Sequence, residues 1–251
     1  MAYYSQGKFM QIPLEMLPQP TESTCGPTCL HAIYRHFGEE VSLTQVIEQI
    51  PEHEDGGTLS VNLALHALRR GFHATTYSYN LRVFDPTWWS LAPAELIEKL
   101  RQRIEHLGDN EKLIQTHKAY MEFIKLGGRI NFSDLTPSFL IRLLGQGHPV
   151  LTGLSATYLY QTVRELPDAT DNDVAGFPTG HFVVINGFDP FGEEVVVTDP
   201  YQDNPFNPRG IYRVSVHRFI NSVMLGIVTY DANLLIISPR PQSGPRRKPA
   251  L

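Results

Sequence analysis

The chain has 251 residues, of which 42% are hydrophobic, and a formal net charge of -5, so it can bury the core of one elaborated domain. Its two cysteines lie four positions apart and have no distant partner, which excludes a disulfide framework. No apolar run approaches the roughly 18 residues of a membrane span, and the first residues, MAYYSQGKFMQ, lack the features of a signal peptide. We therefore expect a cytoplasmic protein with no membrane partner.

The first 80 residues predict mainly helices. Residues 25–37 carry apolar side chains at helical spacing, with Ser23 or Thr24 as N-cap and Gly38 as terminator. The stretches VSLTQVIEQIP and TLSVNLALHALRRG predict two further short helices. The next stretch, FHATTYSYNLRVF, is rich in β-branched and aromatic residues and predicts a strand.

The middle of the chain predicts helices, whereas its end predicts strands. Residues 92–125 predict a helical hairpin around GDN, and SDLTPSFLIRLLGQG predicts another helix. Five strands are predicted after Gly147: HPVLTGLS, GHFVVINGFD, EEVVVTDP, GIYRVSV and ANLLIIS. Helices followed by antiparallel strands indicate an α+β fold, and we expect residues 1–238 to form a single domain.

The last 13 residues, PRPQSGPRRKPAL, are basic. They hold four of the basic side chains and no acid, which leaves 17 basic and 26 acidic side chains, a net charge of -9, in residues 1–238. A basic tail can contact nucleic acid or an acidic partner, but a Pro-rich segment with four charges is typical of a solvated, disordered end. We expect disorder over residues 239–251 and no nucleic-acid partner.

Cys25 is the first candidate for chemistry. A thiol is a better nucleophile when it ionises readily, and the N–H groups at a helix N-terminus favour the thiolate. Cys25 is predicted at such a position, where Gly26 would let a substrate approach the backbone and Pro27 removes no helical hydrogen bond. The alternative is that Cys25 is a small buried residue, as free cysteines often are.

Cys29 is predicted to pack in the core, because it lies on the apolar stripe of the same helix. A metal site would need three or four ligands, and the spacing places His31 and His36 on other faces of the helix. GxxxxGK[ST] and GxGxxG phosphate-binding motifs are absent from the sequence. We therefore expect neither a metal nor a cofactor.

His181 is the candidate base among ten histidines, because it begins a strand just after a glycine-containing turn. A histidine that only satisfies a sheet edge is the alternative unless a carboxylate lies opposite it. If the strands around DPFGE pair about residue 190, Asp199 falls opposite His181 on the same face of the sheet. Asp189 is the rival, but it lies eight residues along the same strand, on the order of 26 Å away.

Gln19 is the candidate oxyanion donor. It precedes Cys25 by six residues, so its side-chain amide and the Cys25 N–H can converge on one oxygen. A loop glutamine alone is weak evidence, and its assignment depends on the other residues.

Taken together, Gln19, STCGPTCL, TGHFVVINGFD and VTDPY resemble the bacteriocin-processing, double-glycine leader peptidase family of papain-like cysteine peptidases, closest to its stand-alone members. The resemblance implies a papain-like fold, with the nucleophile helix of the N-terminal helical half packed on the C-terminal antiparallel sheet. It also implies that Cys25 is the nucleophile, that His181 and Asp199 complete a triad, and that Gln19 forms the oxyanion hole. It implies a thiol-dependent hydrolase that acts on a peptide or amide substrate.

The resemblance covers about residues 11–81 and 147–201. The intervening residues, about 82–134, look like a helical insertion relative to the family, and serve either as a substrate-selecting lid or as a stabilising elaboration. Transporter domains that often follow the peptidase are missing, so a leader peptide is not implied. Acyl transfer by the same triad and a non-catalytic peptide-binding module remain the alternative functions.

Overall fold

The structure, a computed structural model, describes residues 8–52, 56–229 and 232–240. These ranges contain eight α-helices: α1 Cys25–His36, α2 Leu43–Gln49, α3 Ser60–Arg69, α4 Pro93–Ile104, α5 Glu111–Lys125, α6 Pro137–Leu144, α7 Ala156–Tyr160 and α8 Val216–Leu225. They also contain eight strands: β1 Met10–Gln11, β2 His73–Ser78, β3 Arg129–Asn131, β4 Val150–Ser155, β5 Gly180–Asp189, β6 Glu194–Thr198, β7 Ile211–Ser215 and β8 Asn233–Ser238. Two 3₁₀ turns cover Pro86–Trp88 and Gly226–Thr229.

The eight described strands form one sheet. Its order is β3-β2-β8-β4-β5-β6-β7, and β1 pairs with the far end of β5. Neighbouring strands are antiparallel except β2 and β3, which are parallel. The expected α+β architecture is confirmed, and the C-terminal antiparallel strands are joined in the sheet by β1, β2 and β3, which come earlier in the chain.

Helices cover both faces of this sheet, and β5 contributes to the core on each face. Phe182 and Val184 pack in one cluster with α1, α3, α4 and α5. Val183 and Ile185 pack in a second cluster with α6, α7 and α8. Because both faces are buried, β5 is an almost continuous apolar run in the sequence. Helix α1 lies against β5, which confirms the expected packing of this helix on the sheet.

The predicted helices all occur, but two helices were not predicted. Thr24, not Ser23, is the N-cap of α1, and Gly38 follows the helix with a φ of +74°. Helix α7 has five residues, too few for a periodic pattern. Helix α8 follows β7 directly, without a glycine, proline or side-chain capping bond to mark the junction. The strand predicted for GIYRVSV therefore extends to Val216, which is the first residue of α8.

Residues 82–134, the expected insertion, contain α4, α5 and β3. Helices α4 and α5 pack against each other, and Asn110 caps α5 by accepting a hydrogen bond from the Leu113 N–H at 3.0 Å. Helix α5 also packs against α3, and β3 extends the sheet beside β2. The segment is therefore built into the sheet and the first core; its status as an insertion stays a prediction.

The expected disordered tail, residues 239–251, lies outside the described residues beyond Arg240, so its disorder stays a prediction. The extent of the domain, residues 1–238, is likewise a prediction. Among the residues that the structure describes, no helix combines the length and the apolar character needed to cross a membrane.

Candidate active site

Cys25 is the first residue of α1, and it lines a cleft of about 630 Å³. The turn before the helix is fixed by Thr24, whose hydroxyl donates to the Thr21 carbonyl at 2.9 Å. The Thr24 side chain makes no capping bond to the helix. It therefore does not occupy the first N–H groups of α1, which have no intrahelical acceptor and lie at the end that holds the thiol.

The structure corrects the expected role of Gly26. A Cβ atom at this position would lie 2.8 Å from the Thr58 Cγ2 and 3.2 Å from Leu63 and Phe182. Gly26 thus faces packed side chains rather than a substrate. Its lack of a side chain lets the start of α1 sit closely against α3 and β5.

His181 lies at the start of β5 and is almost fully buried. Its Nε2 lies 2.8 Å from the Asp199 Oδ1. Since Nε2 faces the carboxylate, Nδ1 is the ring nitrogen left for Cys25, which lines the same cleft and is close enough to raise the pKa of His181. The structure therefore brings Cys25, His181 and Asp199 together, as expected from the sequence.

The predicted register of the β5–β6 hairpin is wrong. The ladder pairs Asp189 with Glu194 and Val184 with Thr198, so His181 does not lie directly opposite Asp199. The loop is centred beyond residue 190, and Asp189 fixes it by accepting a hydrogen bond from the Phe191 N–H at 3.0 Å. His181 and Asp199 are diagonal neighbours on one face, a separation that longer side chains bridge.

The Asp199 carboxylate accepts four hydrogen bonds. On Oδ1 the donors are His181 at 2.8 Å and the Tyr201 N–H at 2.9 Å. On Oδ2 they are the hydroxyls of Tyr160 and Tyr212, each at 2.6 Å. The carboxylate is fully enclosed, and both of its oxygens are saturated.

The backbone after β6 holds Asp199 in this position. Its N–H donates to the Gly210 carbonyl at 2.7 Å, which closes the loop that follows the strand. Gly210 has a φ of +70°, and a Cβ atom there would lie 2.4 Å from the Asp199 carbonyl oxygen. Glycine is therefore required at this position by conformation and by space.

Charge interactions oppose burial at both members of the His181–Asp199 pair. Burial lowers the pKa of the imidazole, but the Asp199 carboxylate and Cys25 outweigh it and raise the pKa of His181 from 6.5 to about 10. Burial raises the pKa of Asp199, whereas His181 and the hydrogen bonds from Tyr160 and Tyr212 lower it below 3.8. An imidazolium beside a carboxylate is thus the favoured state at neutral pH.

Gln19 lies in the segment between β1 and α1, and it contacts the loop that follows Asp199. Its backbone N–H donates to the Pro200 carbonyl at 3.0 Å, and its side-chain Nε2 donates to the Thr21 carbonyl at 3.1 Å. An amide nitrogen carries two N–H groups, so one remains after the bond to Thr21. The expected role of Gln19 as an oxyanion donor stays a prediction.

Cys29 lies directly below the site. Its thiol is fully buried and donates to the Phe182 carbonyl, next to His181, with a distance of 3.3 Å. Burial, with smaller contributions from Cys25 and Asp199, raises the pKa of Cys29, so it remains a thiol. Among the described residues, no group of three or more His, Cys, Asp or Glu side chains is placed to hold a metal ion.

Tyr160 and Tyr212 are the site residues that the sequence analysis missed. For Tyr212 there was a signal: alternation along GIYRVSV places it on the buried face, where a tyrosine hydroxyl needs a partner. For Tyr160 there was none, because it ends a five-residue helix 39 positions before Asp199.

The walls of the cleft come from several parts of the chain. Helix α5 contributes Lys112, so the expected insertion lines the same cleft as Cys25. Residues 161–179, between α7 and β5, contribute Glu165 and the exposed Phe177, whose backbone groups exchange hydrogen bonds at 3.1 and 2.8 Å. This wall of the cleft, beside His181, is therefore held together by backbone hydrogen bonds.

Comparisons with known proteins agree with this architecture. The family model of the Peptidase_C39 like family matches residues 3–215. A proposed C39-like peptidase from Bacillus anthracis has a TM-score of 0.51 and 14% identity, with 94% of this chain and 100% of that chain covered. Xylellain, a cysteine protease from Xylella fastidiosa, has a TM-score of 0.48 and 14% identity, with coverage of 94% and 87%.

A double-glycine motif protease from an AMS/PCAT transporter, solved in complex with its leader peptide, has a TM-score of 0.45 and 15% identity, with 94% of this chain and 100% of that chain covered. A comparison with curated proteins gave no match. The fold is the papain-like fold of cysteine peptidases. Within this class, the chain belongs to the Peptidase_C39 like family.

Proposed function

We propose that this protein is a cysteine peptidase or amidase that works through an acyl-enzyme formed on Cys25. The observation that carries the proposal is the joint placement of a thiol at a helix N-terminus, an imidazole that interacts with it, and a carboxylate 2.8 Å from that imidazole. The thiol and the imidazole line an open cleft, and the carboxylate is enclosed behind the imidazole. This is the arrangement of an activated nucleophile with a base and an orienting carboxylate.

In the proposed reaction, the Cys25 thiol gives its proton to Nδ1 of His181, and the thiolate attacks the carbonyl carbon of the substrate. The carbonyl π electrons move to the oxygen, which accepts hydrogen bonds from Gln19 and the Cys25 N–H. The C–N bond breaks as His181 returns the proton to the leaving amine. Water, deprotonated by His181, then releases the acyl group as a carboxylic acid and restores the thiol.

Asp199 holds the imidazole throughout this cycle. Its contact with Nε2 fixes the ring orientation and stabilises the imidazolium that forms twice per turnover. Membership of the Peptidase_C39 like family favours a peptide substrate. Acyl transfer to an amine or thiol acceptor needs the same residues and is the second candidate function.

Labelling with a fluorescent iodoacetamide tests whether Cys25 is activated. We expect labelling of Cys25 at neutral pH to be faster than that of free cysteine, because the imidazolium stabilises the thiolate. Cys29 is an internal control, since it is fully buried and bonded to a backbone carbonyl. Peptide mapping by mass spectrometry locates the label. Labelling no faster than that of free cysteine would favour the non-catalytic binding module.

Replacing Gln19 by alanine is expected to lower kcat by about 10²-fold, because one donor to the developing oxyanion is lost. The alkylation rate of Cys25 should change little, since alkylation forms no oxyanion. Gln102→Ala is the matched control, because Gln102 donates to Glu98 on the exposed face of α4. A large fall in the Gln19→Ala alkylation rate would show instead that Gln19 shapes the nucleophile.

A further inference from the structure

We propose that Tyr160 and Tyr212 are positioning residues, which keep Asp199 ionised and aimed at His181. The inference rests on the proposed function in one respect, namely that Asp199 is the orienting carboxylate of the triad. Neither tyrosine touches the reacting atoms in this arrangement. Their role is to set the state of a carboxylate that acts through the imidazole.

The two carboxylate oxygens of Asp199 have different hydrogen-bond partners. Oδ2 receives both phenol hydroxyls, each at 2.6 Å, from α7 on one side and β7 on the other. Oδ1 is left to face the imidazole at 2.8 Å and the Tyr201 N–H at 2.9 Å. A rotation of the carboxylate would break several of these bonds at once, so Oδ1 stays fixed toward His181.

A buried carboxylate needs such donors if it is to stay ionised. A carboxylate withdrawn from water takes up a proton unless hydrogen bonds or a cation compensate it. The titratable groups that face Asp199 come from every element around it: Cys29 on α1, Tyr160 on α7, His181 on β5, Tyr212 on β7 and Tyr201 beside it. In this described set, His181 supplies the cation, and the two hydroxyls supply uncharged support for the anion.

Both hydroxyls remain donors over the working pH range. Burial and the neighbouring Asp199 carboxylate raise the pKa of Tyr160 and of Tyr212 well above that of a free tyrosine. The Tyr160 ring also lies 6.0 Å from the His181 ring, and the neighbouring Tyr201 ring lies 6.1 Å from it. Tyr160 therefore both stabilises the anion and packs beside the imidazole.

The consequence concerns the proton between Nε2 and Oδ1. With two donors on Oδ2, the negative charge stays on Asp199 and the proton stays on Nε2 of His181. Without them, protonation of Asp199 becomes easier, and the pair moves toward a neutral acid beside a neutral imidazole. A neutral imidazole does not stabilise the Cys25 thiolate.

The test is the titration of Asp199 in Tyr160→Phe, Tyr212→Phe and the double variant. Protein labelled with ¹³C-aspartate is followed by carboxyl NMR as the pH is lowered, and the Asp199 signal is the one missing from Asp199→Asn. We expect the midpoint to rise by about one pH unit for each hydroxyl removed, from the strength of hydrogen bonds to charged groups. Phenylalanine keeps the ring, so the packing is retained.

Tyr158→Phe is the matched control, because Tyr158 lies on the same helix as Tyr160 but its exposed hydroxyl contacts Asn221 at 3.3 Å. Its Asp199 midpoint should equal that of the wild type. An unchanged midpoint in Tyr160→Phe and Tyr212→Phe overturns the inference. If Tyr212→Phe does not fold, Tyr160→Phe decides alone, since Tyr160 is less buried.

This readout is independent of the proposed function. The Asp199 titration needs no substrate and no turnover, so it reports on the tyrosines even if no peptide is cleaved. In a catalytically active protein, we expect Tyr160→Phe to lower kcat with little change in KM, because the tyrosine acts on the triad and not on substrate binding. A rise in KM alone would assign Tyr160 to the cleft instead.

Discussion

Cys25→Ala is expected to abolish acyl-enzyme formation and to leave the fold intact. In the proposed reaction the Cys25 sulfur attacks the substrate, and Cys29 cannot replace it, since Cys29 is fully buried and bonded to the Phe182 carbonyl. Rapid quenching with a peptide substrate, followed by intact-protein mass spectrometry, would detect the acyl adduct in the wild type. The adduct should be missing in the variant.

Cys29→Ala is the matched partner of this experiment, because it removes the same side chain one helical turn away. We expect it to lower the free energy of unfolding by about 1 kcal/mol, through the lost contacts of a small buried group. Most of the activity should remain. Urea unfolding and the acyl-enzyme assay measure the two effects. Equal loss of activity in two folded variants would overturn the division of roles between the cysteines.

The elements that hold Cys25 and His181 were predictable because their signals are local. Helix α1 has its apolar stripe, its first-turn proline and its glycine terminator within 14 residues. Strand β5 is a single apolar run bounded by turn residues. In each case the pattern that forms the element also places one reactive residue at its end.

The pairing of His181 with Asp199 was predicted through an incorrect register. Next to the site, where Val184 pairs with Thr198, the observed ladder is displaced by two residues from the expected one, and a displacement of two keeps the side chains on their face. Beyond the irregularity between Ile185 and Gly187, toward the loop, the displacement is three residues. The loop length that causes the displacement depends on how the Asp189 carboxylate organises the backbone around Phe191. The face of the sheet on which a side chain lies follows strand periodicity, so it can be predicted from a sequence. The exact pairing register depends on the geometry of the turn, which is harder to predict.

The contacts of Tyr160 and Tyr212 with Asp199 could not be predicted from the sequence. Tyr160 and Tyr212 reach Asp199 from 39 and 13 positions away, on elements that are brought together by the sheet and α7. Neither contact has a periodic signature. Burial of the carboxylate makes both contacts necessary, and that burial is a property of the folded chain.

Asp199→Asn should move the low-pH limb of Cys25 alkylation to higher pH. Without the carboxylate charge, burial, which lowers the pKa of His181, is opposed only by Cys25, so the pKa of His181 falls from about 10. A larger share of the imidazole is then neutral at a given pH, and a neutral imidazole does not stabilise the Cys25 thiolate. The rate of alkylation by iodoacetamide, an uncharged reagent, is measured as a function of pH.

Asparagine is suited to isolate the charge. Its oxygen can accept from the His181 Nε2 and the Tyr201 N–H, while its amide nitrogen donates to the tyrosine hydroxyls, which serve as acceptors as well as donors. The substitution thus keeps the shape of the site and most of its hydrogen bonds. A shift in the profile then reports the lost negative charge.

The same charges predict how the stability difference between wild type and Asp199→Asn depends on pH. The lowered pKa of Asp199 contributes stability above 3.8, which is lost as the pH falls through the folded value. The raised pKa of His181 contributes stability below 6.5, which is lost as the pH rises toward about 10. The difference in unfolding free energy should therefore be largest between about pH 4 and 6.5.

Asp189→Asn is the control for this experiment. Asp189 lies at the far end of β5, where its Oδ2 accepts a hydrogen bond from Arg213 at 2.8 Å. Its loss should weaken that partly exposed ion pair and leave the Cys25 alkylation profile in place, because the charge is remote from the imidazole. If Asp189→Asn moves the profile and Asp199→Asn does not, the carboxylate that sets the charge of His181 has been assigned to the wrong end of the strand.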